Sequence, residues 1–200
     1  MKKYNDILKI NYLYKHINEE YRPIDLNHPN IINQINEIAN IKNLPKIKKK
    51  LDAGREAMAF ESEDPNIIIR ISSIENSNNE LEYMIENEEI KETGGIAKIY
   101  DYHFLGDDGE YLITWKEKVD DGFILELSKK YSDIELKQII TTFKNLCVPK
   151  YSKKYIPNLK KWPETVKLYQ AITMGLPTWD LNIDKNIGMN QTGDIVAYDC

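Results

Sequence analysis

Near Leu51 the apolar residues of this chain stop recurring at helical spacing and fall into short extended runs, and this switch limits the fold more than any other feature. Four runs, residues 56–61, 66–72, 97–105 and 110–117, carry aromatic or β-branched side chains and are bounded by turn formers, which predicts strands. Glu63-Asp64-Pro65-Asn66 and Gly106-Asp107-Asp108-Gly109 lie where hairpin turns belong. Between the second and third runs, residues 78–92 are highly charged yet hold Leu81, Met84, Ile85 and Ile90, the pattern of one helix, and Gly94-Gly95 supplies its stop. The order is strand, strand, helix, strand, strand. It predicts an α+β fold built on a small antiparallel sheet.

Helices are expected on both sides of that unit. Residues 1–44 predict two or three, with Ile7, Leu8, Ile10, Tyr12 and Leu13 first and Ile31, Ile32, Ile35, Ile38 and Ile41 following. In Asn27-His28-Pro29-Asn30, an Asn or His at the cap leaves the proline near the first turn, where its missing N–H costs no hydrogen bond. After Gly122, residues 124–131, 133–146 and 163–174 predict helices, the last stopped by Gly175 and Pro177, and two short strands are expected around Thr192-Gly193. The chain divides into a helical extension (residues 1–44), a sheet-bearing lobe (45–119) and a reduced, mostly helical lobe (120–200).

Composition removes several function classes. Two hundred residues with 42% hydrophobic content suffice for one core, or for two small lobes sharing a cleft. No apolar run approaches the length of a membrane span, and Asn5, Asp6 and Lys9 interrupt the N-terminal apolar residues, so a cytoplasmic protein that does not enter the membrane is expected. Only Cys147 and Cys200 are present, with His16, His28 and His103 scattered, which argues against a disulfide framework and a zinc site. Residues 1–50 carry 10 basic and 5 acidic side chains, against 17 and 27 in the remainder. The cluster Lys46, Lys48, Lys49 and Lys50 lacks interleaved aromatic residues for stacking on bases, so it reads as the solvated start of a strand and not as a nucleic-acid surface.

The densest set of chemistry-bearing side chains comes near residue 200. Asp180 follows the turn Gly175-Leu176-Pro177-Thr178-Trp179, Asn186 opens a short strand, and Asp199 ends the strand that returns. Such acids and amides offer the hard oxygen ligands that Mg2+ takes while keeping several waters. Earlier, the segment from Leu51 to Glu61 places Gly54 among small residues between two strands, a flap whose backbone N–H groups can approach phosphates. Arg70, on the next strand, adds a cation.

In this order, the two segments resemble the protein-kinase-like superfamily over about residues 50–199, and among its members the short, divergent proteins of bacteriophages and bacteria. The resemblance implies a kinase-like fold with a small antiparallel-sheet N-lobe, and ATP and Mg2+ as cofactors. It implies that Gly54 covers the phosphates, that Arg70 holds them in place of the usual lysine, and that Glu80 or Glu82, with Glu80 preferred, orients that cation. Trp115 and Glu117 fall where the fifth strand meets the interlobe hinge and an adenine edge, with Ala59, Ile68 and Ile113 expected to sandwich the ring. Asp180 takes the role of catalytic base or hydroxyl-orienting acid, and Asn186 and Asp199 those of magnesium ligands.

Three departures accompany the resemblance. Arg70 is a planar fork where the family has a compact ammonium. Asn186 lies one position further from Asp180 than in the family, with Thr178-Trp179 in place of His-Arg, so either the loop bulges or Asn182 and Asp184 share these roles. After Asp199 nothing corresponds to the segments with which kinases bind a protein substrate, which points away from peptide phosphorylation. Two functions are therefore expected. One is a minimal Mg-ATP-dependent phosphotransferase; the other is a catalytically inactive, pseudokinase-like interaction protein of phage or mobile-element origin that binds a host or partner protein. An unrelated nucleic-acid binder using Lys46 to Lys50 ranks third.

Overall fold

The computed structural model describes residues 29–53, 57–73, 84–105, 111–179, 181 and 186–198. Helix α1 (Pro29–Lys42) begins at the proline, as the missing N–H predicts. It stops at Asn43, whose φ of 55° lets the Leu44 N–H return to the Ala39 carbonyl at 2.8 Å. The helix expected before α1, the Gly106–Gly109 turn and the first part of the helix expected over residues 78–92 lie outside the described residues.

Five strands follow: β1 (Ile47–Ala53), β2 (Ala57–Ser62), β3 (Ile67–Ser73), β4 (Ile99–Leu105) and β5 (Tyr111–Glu117). They form one antiparallel sheet in the order β1-β2-β3-β5-β4, with the short helix α2 (Glu88–Glu92) between β3 and β4 in sequence. Lys48, Lys49 and Lys50 are exposed on β1, the solvated strand that their sequence predicts. At the β2–β3 turn, the Ser62 hydroxyl donates to the Asp64 and Ile67 carbonyls at 2.8 and 2.9 Å, closing the Asp64-Pro65 hairpin.

Strand alternation divides the sheet into two faces. Met58, Phe60, Ile69, Ile71, Ile113 and Trp115 form one face and bury themselves against Ile31, Ile35 and Ala39 of α1. α1 thus covers this outer face. Polar contacts fix its angle: Asn36 Oδ1 accepts from the Ile47 N–H at 2.9 Å, Trp115 Nε1 donates to the Pro45 carbonyl at 2.9 Å, and Lys42 Nζ reaches Asp101 Oδ1 at 2.7 Å. Ala59, Ile68, Arg70, Thr114 and Lys116 belong to the opposite, inner face.

The second core is helical. It is built from α3 (Phe123–Lys130), α4 (Asp133–Leu146), α5 (Pro149–Tyr155), 3-10 turns over Ile156–Lys161 and Pro163–Thr165, and α6 (Val166–Thr173). Phe123, Ile139, Phe143, Leu159, Trp162 and Leu168 are among its buried members. α4 starts with a capping box, the Glu135 N–H donating to Ser132 Oγ and the Ser132 N–H donating to Glu135 Oε2. Glu164 is buried at the joint between α3 and the second 3-10 turn. Burial acts to raise its carboxyl pKa, but hydrogen bonds from Lys130 and Tyr131 outweigh that and hold it below the usual value. Two last strands, β6 (Ile187–Met189) and β7 (Ile195–Ala197), form the hairpin expected around Thr192-Gly193. Among the described residues, no helix is long and apolar enough to cross a membrane.

The role of α1 sets a stability test. Ile35 is fully buried under the sheet while Ile41, on the same helix, is 85% exposed. Ile35→Ala is expected to cost about 2–4 kcal/mol and Ile41→Ala less than about 0.5 kcal/mol in urea unfolding. Equal effects would mean that α1 does not seal the outer face.

Candidate functional site

The β6–β7 hairpin is gripped at both edges by main chain. On the β7 side, the Ala97 N–H donates to the Ala197 carbonyl at 2.7 Å and the Ala197 N–H to the Gly95 carbonyl at 3.0 Å. On the β6 side, Asp120 and Met189 exchange two hydrogen bonds of 2.8 Å. Residues 95–97 lead into β4 and Asp120 lies just beyond β5, so the two links between the sheet and the helical core both clasp the hairpin. Lys167 Nζ adds a 2.7 Å ion pair to Asp194 Oδ2 at its tip.

Two glycines shape this arrangement, one by its lack of a side chain and one by its backbone conformation. A Cβ on Gly95 would stand 2.2 Å from the Lys167 carbonyl oxygen, so only a residue without a side chain lets α6 approach this closely. At the hairpin tip, Gly193 takes φ +83° in a turn where Asn190 Oδ1 accepts from the Thr192 and Asp194 N–H groups at 3.1 and 3.0 Å.

At the open end of this hairpin the Tyr198 N–H donates to the Asn186 carbonyl at 2.9 Å, so Asn186 and Tyr198 face each other across it. The residue after Asp180 is also fixed. Leu181 is fully buried, and Cys147 Sγ lies 2.8 Å from its carbonyl.

Above the hairpin lies the inner face of the sheet. Arg70 on β3 stands opposite Ala59 of β2 and Thr114 of β5, and its Nη1 donates to Ser72 Oγ at 3.5 Å. Lys116, two residues along β5, is a diagonal neighbour of Arg70, which in such a ladder separates the backbones by roughly 7–8 Å. Lys116 is 1% exposed, and its Nζ donates to the Tyr198 carbonyl at 2.8 Å. A buried ammonium requires polar partners to offset lost hydration, and here one of them is the open end of the hairpin. Two cations thus lie on one face of the sheet, and one of them is bonded to the open end of the hairpin.

Ala59 and Ile68 share the face of Arg70, whereas Ile113, expected with them against the adenine, packs under α1 on the other face. Trp115 also faces α1. As a central-strand residue it is paired with Ile69 on one side and Asp101 on the other. Glu117 ends β5, where its N–H donates to the Lys98 carbonyl at 2.8 Å and its Oε2 accepts from the Lys98 N–H at 3.2 Å. Gly54, Glu80, Glu82, Asp180, Asn182, Asp184 and Asp199 lie outside the described residues. Lys116 was absent from the residues expected at the site; the signal for it was a lysine in phase with Thr114 on a strand otherwise apolar.

Comparison with protein-family models and with curated proteins gives no match.

The clasp has a direct test. Gly95→Ala is expected to destabilise the protein by about 1–3 kcal/mol, because backbone must move to admit the methyl group. It should also speed amide exchange at Ala97 and Ala197. Gly193→Asn, with open space around it and a φ that Asn tolerates, is expected to cost less than about 1 kcal/mol. A silent Gly95→Ala substitution would remove the close approach from the account.

Proposed function

We propose that the protein is a kinase-like nucleotide-binding protein that takes Mg-ATP between the inner face of the sheet and the β6–β7 hairpin and acts as a minimal phosphotransferase. One observation carries the reading. The sheet runs β1-β2-β3-β5-β4 with α2 inserted before β4, and it turns Arg70 to the same side as a hairpin that begins at Asn186. In this reading Gly54 covers the phosphates and Arg70 neutralises them, its fork giving directional hydrogen bonds to phosphate oxygens. Asn186 and Asp199 hold Mg2+, which supplies charge neutralisation of the transferred phosphoryl group. Asp180 orients the acceptor hydroxyl, and Glu80 or Glu82 orients Arg70. The adenine lies against Ala59 and Ile68, near the exit of β5 at Trp115 and Glu117.

Lys116 favours a second reading. Its ammonium is bonded to the carbonyl that precedes Asp199, and a fixed positive charge beside a metal ligand competes electrostatically with a divalent cation. On this reading Lys116 stands in for the metal. Nucleotide is then a structural ligand, and the protein is a pseudokinase-like module that engages a host or partner protein.

Calorimetric titration with ATP, with and without Mg2+, and a turnover assay separate the two. The phosphotransferase reading predicts Mg-dependent binding, a loss of about tenfold or more in Arg70→Ala with partial recovery in Arg70→Lys, and turnover abolished in Asp180→Asn at nearly unchanged affinity. Binding indifferent to Mg2+, without turnover, selects the second reading. A folded protein that ignores ATP contradicts both.

A further inference from the structure

Residues 136–163 contain seven lysines and no acidic residue, a charge of +7 inside a chain of net −5, which leaves −12 on the rest. All seven side chains are exposed, and none pairs with a carboxylate among the described residues. They lie on α4, α5 and the following 3-10 turn, three elements that pack against one another.

This surface is concave. Ile134, Lys137, Gln138 and Thr141, at i, i+3, i+4 and i+7, form one wall along α4, and Tyr155, Asn158 and Lys161 form the other, over a floor made by Trp162. The groove encloses about 540 Å3. Each wall contributes a lysine and a side-chain amide. Lys150, Lys153 and Lys154 extend the positive surface along α5, where Tyr151 is 42% exposed.

We infer that this groove binds single-stranded nucleic acid, independently of any nucleotide in the cleft. Lysines on both walls suit a phosphodiester backbone, while Tyr155 in the groove and Tyr151 on α5 offer aromatic surface and Gln138 and Asn158 offer hydrogen bonds to base edges. The aromatic interleaving that Lys46 to Lys50 lack is present here. An anionic bilayer is a poorer fit, because it takes protruding apolar side chains whereas Trp162 is recessed at 5% exposure and Tyr155 is half-buried. An acidic peptide would satisfy the lysines but leave the aromatic and amide groups of the groove unused.

The test is fluorescence anisotropy of the full chain with labelled oligo-U and oligo-dT of about 20 nucleotides. With about five lysine–phosphate contacts, affinity should fall roughly 100-fold between about 50 and 200 mM salt. Lys137→Glu with Lys161→Glu should weaken binding at least about tenfold and flatten the salt slope by about 1.4. The control pair Lys48→Glu with Lys49→Glu makes the same change in net charge on exposed β1 and should cost less than about threefold. Preference for oligo-U or for oligo-dT identifies RNA or DNA as the partner, and either supports the inference. Equal losses in the groove and control variants overturn it, as does displacement of the oligonucleotide by polyglutamate or phosphatidylserine vesicles as readily as by unlabelled strand.

Discussion

The sheet and the helical core are tied together through a hairpin of three residues per strand that is held by main-chain hydrogen bonds along both of its edges. A two-stranded ribbon this short has no independent stability in water. Residues 95–97 on one side and Asp120 on the other turn it into the centre of a small layer, and these are the same segments that connect the five-stranded sheet to the helical core. The position of Asn186 relative to Arg70 is therefore set by backbone pairing, which is less forgiving than a contact between flexible side chains.

Lys116 completes that constraint from above. Its stem crosses from the central strand β5 to the Tyr198 carbonyl, so the sheet and the open end of the hairpin share a buried, charge-assisted hydrogen bond. Removing the ammonium would leave a buried carbonyl without this donor, and removing the hairpin would leave a buried cation short of a partner. The same bond is what separates the two proposed readings, because a cation suits phosphate and opposes a metal ion.

Much of this architecture was legible in the sequence because local chemistry fixed it. Pro29 lay near a helix start, Glu63-Asp64-Pro65-Asn66 lay at a hairpin turn and Gly122 preceded the return to helices, so the order of elements along the chain and the helix over Asp133–Leu146 followed from short-range rules. The segment from Pro149 to Lys161 was not legible. Its lysines and tyrosines give no apolar stripe, Pro157 breaks it, and its helical turns depend on packing against α4. Which face each strand residue takes was only partly readable: β5 is buried on both faces, so no alternation separated Trp115 and Ile113, under α1, from Thr114 and Lys116 opposite. The grip on the hairpin was invisible because it is made by backbone atoms of residues far apart in sequence.

The most direct measurement is the map of backbone amide shifts when Mg-ATP is added to the labelled, folded protein. The account predicts perturbations at Ala59, Ile68, Arg70 and Asn186, on the two sides of the cleft, with α4 and α5 unmoved. Perturbations confined to the helical groove, or spread over α1 and the outer face, would contradict a nucleotide site between the sheet and the hairpin.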